Sequence, residues 1–151
     1  MMLKNKTKDL MERILYLSEK NLKNNKIPIA AIVVDSKTDE IISEAVNGDS
    51  VLDHAELLAL NEALLKLSAN RLDNCDIYVS IEPCPMCATA IAKTHIRRLY
   101  FGAEDKKGGG VINGPKMYSH SNLKIPEVIS HCFAEETANL LKKFFESKRN
   151  Y

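Results

Sequence analysis

A nearly continuous apolar run occupies residues 27–34 and is rich in β-branched side chains. Such a run, bounded by turn residues, is typical of a strand that is buried on both faces of a sheet. Pro28 falls at the first residues of this run, where a missing backbone N–H is tolerated. Turn residues at 35–39 and a second strand-like segment at 40–45 then predict a hairpin.

The rest of the chain alternates helical patterns with short strands. The patterns predict helices over 6–24, 53–67, 85–94 and 135–148, and further strands over 76–81, 97–102 and 127–131. Asp53 is the expected N-cap of the second helix. The side chains expected to face the core are Leu57, Leu60, Leu64 and Leu67 on the second helix, and Leu140, Leu141, Phe144 and Phe145 on the last. Strands that alternate with helices favour a three-layer α/β domain with helices on both faces of one sheet.

Length and composition are typical of one domain of ordinary size. The chain has 151 residues, of which 45% are hydrophobic and 27% are charged, so we interpret residues 1–151 as a single globular domain. This composition excludes disordered, collagen-like and disulfide-dense chains. Basic residues number 21 and acidic residues 20, so the overall charge gives no indication of nucleic-acid binding.

The sequence contains no indication of a membrane or an export route. It lacks the run of about 18 apolar residues that a membrane span requires, and its first residues lack the apolar stretch of a signal peptide. We therefore expect a cytoplasmic protein without a membrane partner. In a reducing compartment its four cysteines are expected to be metal ligands, catalytic groups or core thiols rather than disulfides.

Residue types that bind metals lie in two short segments, 54–56 and 83–87, each at the start of a predicted helix. Cys84 and Cys87 are three residues apart, so at the first turn of a helix they share one face. The partial positive charge and free N–H groups of a helix N-terminus favour thiolates there. With His54, the two cysteines make three nitrogen and sulfur ligands, the set expected of a catalytic zinc with one open position.

Glu56 lies two residues after His54, where it can stand near the metal without binding it. Zinc lowers the pKa of a bound water molecule toward about 7. A nearby carboxylate can accept the proton of that water molecule and pass it to a substrate. The sequence therefore predicts one zinc ion per subunit, with Glu56 as the catalytic carboxylate.

Two other interpretations of the cysteines remain open. The C-x-x-C pair alone could be a redox motif of the thioredoxin type, which needs neither the histidine nor the glutamate. A structural zinc would need a fourth ligand. The candidates for that ligand are Cys75, His95, His120, His131 and Cys132, and none of them has the spacing of a ligand.

The combined pattern H-x-E…P-C-x-x-C is the signature of zinc-dependent nucleobase deaminases. On these residues the chain resembles the cytidine/deoxycytidylate deaminase superfamily. From about residue 27 to residue 109 it resembles, more narrowly, the bacterial tRNA-specific adenosine deaminases. Residues 96–103, followed by Asp105 and Lys107, are similar to the family's I-x-R-V-x-F-G-A-x-D-x-K-x-G segment. The resemblance implies the cytidine deaminase-like fold, a three-layer α/β/α sandwich with a central five-stranded mixed sheet.

The resemblance also implies roles for residues of this chain. It implies that His54, Cys84 and Cys87 are the zinc ligands and that Glu56 is the proton shuttle. The implied substrate-binding residues are Asn47, Pro28, Ala55, Asp105 and Lys107. Among them, Asn47 corresponds to an asparagine that contacts the target base or its ribose, and Asp105 to an aspartate that approaches RNA beside the flipped base. The implied partners are a tRNA anticodon stem-loop and a second copy in a homodimer, and no DNA is expected.

The implied function is zinc-dependent hydrolytic deamination of adenosine to inosine at the wobble position of a tRNA anticodon. A base in a loop is already partly unstacked, so extruding it costs less than flipping it out of a duplex. The loop over 47–54 is shorter than in typical members, and residues 110–125 lack their S-L-M segment. An alternative is therefore a deaminase of a free base or nucleoside: guanine, cytosine or adenosine. A third interpretation, a zinc-binding module without catalysis, is disfavoured because Glu56 is retained.

Overall fold

The computed structural model describes residues 2–120 and 122–149. The elements follow in the order α1 (Met2–Lys23), β1 (Ala30–Asp35), β2 (Ile41–Val46), α2 (Ala55–Leu67), β3 (Cys75–Ile81), α3 (Pro85–Lys93), β4 (Arg98–Ala103), β5 (Glu127–Ile129) and α4 (Ala134–Arg149). A short 3-10 helix spans Met117–Ser119 between β4 and β5. Within the described residues, no helix is long and apolar enough to cross a membrane.

The five strands form one sheet in the order β2-β1-β3-β4-β5. β1 pairs antiparallel with both β2 and β3, whereas β3, β4 and β5 pair in parallel. Strands β2 to β5 therefore run in one direction, and only β1 runs against them. The predicted five-stranded mixed sheet is confirmed, and the carboxyl ends of four of its strands share one edge.

Alternate side chains of the sheet enter two separate cores, as the pleat requires. Ala31 and Val33 of β1 belong to the core beneath α2 and α3, which also holds Phe101 of β4. Ile32 and Val34 belong to the core on the opposite face, beneath α1. Helix α4 packs on that second face, against β4 and α1. The predicted three-layer arrangement is confirmed.

The first strand is shorter than its apolar run predicts. It begins at Ala30 rather than at residue 27, because the backbone N–H of Ile29 donates to the carbonyl of Ile27 at 2.8 Å. This contact closes a three-residue turn around Pro28, whose fixed φ suits a γ-turn. Pro28 is buried in that turn and precedes the strand instead of opening it.

The second helix differs from its prediction at its start. His54 is its N-cap residue, so the expectation that Asp53 caps the helix is wrong. The Asp53 carboxylate instead accepts a hydrogen bond from the backbone N–H of Ser50 at 3.2 Å, within the preceding loop. Asp53 therefore stabilises the turn that leads into the helix.

The face that α2 buries is made mainly of alanine rather than leucine. Ala55, Ala59 and Ala63 are fully buried, and Leu67 of the expected stripe is exposed. Small side chains let the helix backbone approach the sheet, where the Ser43 hydroxyl donates to the carbonyl of Ala59 at 2.7 Å. Of the predicted leucine stripe, Leu60 is buried, Leu57 and Leu64 are half-buried, with Leu64 packed against the core, and the prediction is wrong at Leu67.

The last helix buries only part of its expected face. Leu140 and Phe144 are buried, Leu141 is half-buried, and Phe145 is 49% exposed. The Phe144 and Phe145 rings meet edge to face with their centroids 5.4 Å apart. Adjacent residues on a helix point about 100° apart, so one ring enters the core and its neighbour does not.

Candidate metal centre

The three predicted ligands reach one place because two helices begin at the same edge of the sheet. α2 follows the carboxyl end of β2, and α3 follows the carboxyl end of β3. His54 is the N-cap residue of α2, and Cys84 is the N-cap residue of α3. Pro85 opens α3, as predicted, and Cys87 lies in its first turn. The carboxyl edge of an α/β sheet is where ligands commonly bind.

The distances between the ligand atoms fit a tetrahedral zinc site. Nδ1 of His54 lies 3.6 Å from Sγ of Cys84 and 3.4 Å from Sγ of Cys87. Zinc bond lengths to sulfur and nitrogen place such atoms about 3.5 Å apart around a tetrahedral ion. Across residues 2–120 and 122–149, no other histidine, cysteine or carboxylate joins this group. The donor set therefore fits a zinc ion with one position left for water.

The two cysteines differ in their acidity. The thiol of Cys87 donates a hydrogen bond to Cys84, and this contact, against the effect of burial, lowers the pKa of Cys84 to about 5. The same contact and burial raise the pKa of Cys87 above its ordinary range. Cys84 is thus the more readily ionised of the two thiols, and both must be thiolates to act as metal ligands.

Glu56 is a buried carboxyl beside this group. Its side chain lies in the first turn of α2 and is 3% exposed. Burial, together with the negative charge of Cys84, raises the pKa of Glu56 to about 7, although a backbone hydrogen bond and His54 oppose the shift. A carboxyl that titrates near neutrality can accept a proton and return it.

Asn47 connects the end of β2 to the start of α2. Its side-chain Oδ1 accepts a hydrogen bond from the backbone N–H of Ala55 at 2.8 Å, and its carbonyl accepts one from Asn21. Asn47 therefore satisfies a free donor at the N-terminus of the helix that carries Glu56. Because Oδ1 already accepts this hydrogen bond, the NH₂ group is the part of the Asn47 amide that could donate to a substrate.

A cavity of about 610 Å³ opens next to the metal centre. Its walls include Asn47, His54, Asp105, Lys107 and the exposed ring of Phe145. The structure thus brings three of the five predicted substrate-binding residues to one cavity beside His54. The other two, Pro28 and Ala55, are buried and are not among the residues that line it.

Asp105 and Lys107 belong to one tight turn. The Asp105 carboxylate accepts hydrogen bonds from the backbone N–H groups of Lys107 at 3.1 Å and Gly108 at 2.9 Å. This is an Asx turn, in which an aspartate side chain replaces a backbone acceptor. Asp105 therefore shapes the turn, and Lys107 is exposed at its tip.

The residue pattern does not single out Glu82, which immediately precedes Pro83. Its side chain is 2% exposed and accepts hydrogen bonds from the segment that follows Asp105. Burial opposes its charge, but the bonds from Asn113 and from three backbone N–H groups hold the pKa of Glu82 below its ordinary value. The available signal was an acidic residue next to the C-x-x-C motif together with three consecutive glycines, 108–110.

Comparison with known proteins identifies close relatives along nearly the whole chain. Residues 5–149 match the family model of the MafB19-like deaminases. A tRNA-specific adenosine deaminase of Rickettsia bellii is 39% identical over 145 residues, which cover 93% of this chain and 100% of that protein. A tRNA-specific adenosine deaminase of Agrobacterium fabrum is 37% identical over 145 residues, covering 92% and 93% of the two chains.

Solved structures of related deaminases share the fold of this chain. A structure from a study of A-to-I editing by tRNA:A34 deaminases at the wobble position of transfer RNA superposes with a TM-score of 0.82. That chain is 35% identical, and the match covers 87% of this chain and 97% of that one. A guanine deaminase from Nitrosomonas europaea, at 22% identity and a TM-score of 0.75, shares the fold over 89% of this chain and 81% of its own.

Proposed function

The chain belongs to the family of tRNA-specific adenosine deaminases, and on that premise we propose that it converts adenosine to inosine at the wobble position of a tRNA anticodon. In this hydrolysis water adds to C6 of adenine, and the amino group leaves as ammonia. The observation that carries the proposal is the buried Glu56 carboxyl beside three convergent ligands. Relatives that match this chain over nearly their whole length are tRNA-specific adenosine deaminases and support the choice of RNA as substrate.

We propose that His54, Cys84 and Cys87 hold one zinc ion per subunit. Their donor atoms and separations fit that ion, as described above. When bound, zinc supplies Lewis-acid chemistry that lowers the pKa of a water molecule toward about 7.

Glu56 moves protons in this proposal. Its carboxylate accepts a proton from water and delivers it to N1 of the adenine ring as the hydroxyl group adds to C6. It then accepts the proton of that hydroxyl group and passes it to the amino group, which leaves as ammonia. The same group must take up and release a proton in one turnover, and burial favours its protonated form between the two transfers. Burial excludes solvent that would otherwise exchange protons with it.

Asn47, Asp105 and Lys107 bind the RNA in this proposal. The Asn47 amide, which is held by the Ala55 N–H, donates to the target nucleotide. The turn shaped by Asp105 presents Lys107 toward a backbone phosphate, a contact that positions RNA without reading its sequence. Pro28 lies outside the cavity, so the proposal gives it no role in binding.

We further propose that residues 1–151 are a single deaminase domain and that two copies form a cytoplasmic homodimer. The match of a deaminase family model to residues 5–149 supports the single domain.

The homodimer is supported by exposed apolar side chains near the starts of α2 and α3, which a second copy of the chain would cover: Val51, Leu52, Leu58, Met86 and Ile112. Analytical ultracentrifugation of the zinc-loaded protein tests the dimer.

The position of the edited base provides the sharpest test of the proposal. Anticodon stem-loops with adenosine at the wobble position are compared with stem-loops in which adenosine is moved to the neighbouring loop positions. We expect inosine at the wobble position alone. Equal conversion at every loop position would contradict a wobble-specific enzyme, and conversion at none would contradict the proposed activity itself.

A further inference from the structure

Glu82 lies between the metal centre and the loop that faces the substrate. Glu82 immediately follows β3, immediately precedes Pro83 and lies two residues before Cys84. Its own backbone N–H donates to the carbonyl of Ala103 at 2.8 Å. The residue is therefore held at the edge of the sheet, and its side chain turns toward the segment that leaves β4.

The Glu82 carboxylate accepts five hydrogen bonds from this segment. Oε1 accepts from the backbone N–H of Asp105 at 3.0 Å and from the side-chain amide of Asn113 at 2.7 Å. Oε2 accepts from three consecutive backbone N–H groups at 2.9–3.0 Å, those of Val111, Ile112 and Asn113. One buried anion thus joins both ends of the segment 105–113, which we name the clasp loop.

Two glycines allow the clasp loop to approach this closely. A Cβ on Gly109 would lie 2.4 Å from the Glu82 carboxyl carbon, and a Cβ on Gly110 would lie 2.5 Å from the Pro85 nitrogen. The N–H of Gly110 also donates to the carbonyl of Pro83 at 2.8 Å. The loop therefore packs directly on the start of α3, the helix that carries Cys87.

We propose that Glu82 is a positioning residue for substrate binding, which holds the clasp loop so that Asp105 and Lys107 face the cavity beside the metal centre. The inference rests on the proposed function, since it assigns the loop to RNA binding. Glu82 is neither a lining residue of the cavity nor a member of the metal group, so it acts through the loop. Its loss is then expected to weaken RNA binding more than it slows the chemical step.

Glu82→Gln tests the role of the charge with little change in shape. One carboxylate oxygen becomes an NH₂ group, which cannot accept hydrogen bonds from the loop N–H groups. We expect the amides of Val111, Ile112 and Asn113 to exchange with deuterium at least tenfold faster, while zinc content stays at that of the wild type. This measurement needs no substrate, so it tests the clasp whether or not the RNA is a substrate.

Steady-state kinetics on the anticodon stem-loop test the consequence for binding. Losing acceptors for several buried N–H groups predicts a KM for RNA that rises roughly tenfold or more, with kcat changed by less than about threefold. A role in stability alone would lower Tm and leave KM unchanged below the unfolding transition.

Two further variants keep the test decisive if Glu82→Gln folds poorly. Asn113→Ala removes one of the five hydrogen bonds from a position remote in sequence from the ligands, so we expect a smaller rise in KM in the same direction.

Asp76→Asn is the matched control. Asp76 is a carboxylate that is 1% exposed at the opposite end of β3, where it pairs with Arg97 at 2.7 Å and 3.0 Å. We expect Asp76→Asn to lower Tm without changing KM.

The outcomes separate this inference from the proposed function. Wild-type protein that leaves the stem-loop unchanged would contradict the proposed function, whatever the exchange data show. Wild-type turnover with an unchanged KM in both Glu82→Gln and Asn113→Ala would overturn the positioning role alone. Loss of zinc from Glu82→Gln, or an equal rise in KM in Asp76→Asn, would also overturn it.

Discussion

Glu56 is the residue on which the proposed chemistry depends most. Burial and the charge of Cys84 raise its pKa to about 7, so its protonated and ionised forms are both populated near neutral pH. Its side chain hydrogen-bonds with Cys87 but is not one of the three residues that form the metal group. The proposal therefore assigns metal binding and proton transfer to different residues.

Glu56→Ala should separate these two properties. We expect the variant to fold and to keep its zinc, because His54, Cys84 and Cys87 are intact. We expect it to lose roughly 10²–10⁴-fold in kcat, the usual contribution of a general acid-base group. Zinc is measured by atomic absorption and turnover by inosine formation. Glu56→Gln, which has nearly the same shape, is the control for packing, and loss of zinc from both variants would contradict the assignment.

Lys107→Ala should weaken RNA binding at constant zinc content. Lys107 is exposed at the tip of the Asx turn, so its removal costs little in folding. Loss of one phosphate contact should raise KM and reduce the slope of log K against log salt by about 0.7 for a single-stranded site. Lys37→Ala, in the exposed turn between β1 and β2, is the control. Equal salt slopes for wild type and Lys107→Ala would remove this residue from the RNA surface.

The sequence predicts the metal-binding residues better than the residues that support them. His54, Cys84 and Cys87 belong to the few residue types that bind zinc, and their positions at helix starts follow from local pattern. Glu82 was missed because its partners lie more than twenty residues away and are mostly backbone N–H groups. Such contacts depend on how two loops meet, and residue type does not predict that.

At the scale of the element, the clasp loop depends on glycine at one position more than at its neighbour. A Cβ at Gly109 would meet the Glu82 carboxylate and the Asp105 carbonyl at 2.4–2.5 Å, whereas one at Gly108 meets only the end of the Asp105 side chain at 3.0 Å. We expect Gly109→Ala to lower the free energy of unfolding by about 1–3 kcal/mol. Gly108→Ala should change it by less than about 1 kcal/mol. Chemical denaturation checks both values, and equal losses would contradict this account of the loop.

The clasp loop should also lose stability in acid through Glu82. The folded-state pKa of Glu82 lies below its unfolded value, so the unfolded chain binds more protons in the window below pH 4.5. The stabilisation that Glu82 provides is therefore complete above that window and is lost as pH falls through the folded-state pKa. Glu82→Gln has no such proton, so the difference in Tm between wild type and variant should narrow as pH falls. A difference that stays constant from about pH 6 to about pH 3 would contradict this, since the other carboxylates titrate in both proteins.

Periodicity predicts which elements form but not which face each one buries. The pattern predicts helix α2 over 53–67 and the helix lies at Ala55–Leu67, yet its buried face is mainly alanine. Hydrophobicity favours leucine as the buried residue, whereas the contact between Ser43 and the helix backbone requires a small side chain. The start of β1 was misplaced for a similar reason, because the turn at Pro28 is a local backbone contact within an apolar run.

At the scale of the whole molecule, the parts of the site lie together because β2, β3 and β4 run in the same direction. β2, β3 and β4 all end at the edge where α2, α3 and the clasp loop begin. The proposed zinc ligands, the Glu56 carboxyl and the proposed RNA-binding turn therefore come from three successive connections. Alternation of helices and strands predicts the layers, and the family resemblance predicts the mixed sheet. The order β2-β1-β3-β4-β5 depends on long-range pairing, which local pattern does not contain.

The most direct test of the central claim compares RNA with free substrates in one assay. Zinc-loaded wild-type protein is incubated with an anticodon stem-loop that carries adenosine at the wobble position, and separately with free adenosine, guanine and cytosine. Ammonia release and nucleoside analysis report turnover, and Glu56→Ala reports any contaminating activity. We expect inosine in the stem-loop and no turnover of the free compounds. Turnover of a free base or nucleoside with unchanged RNA would contradict it and would make the cavity beside Asn47 a small-molecule site.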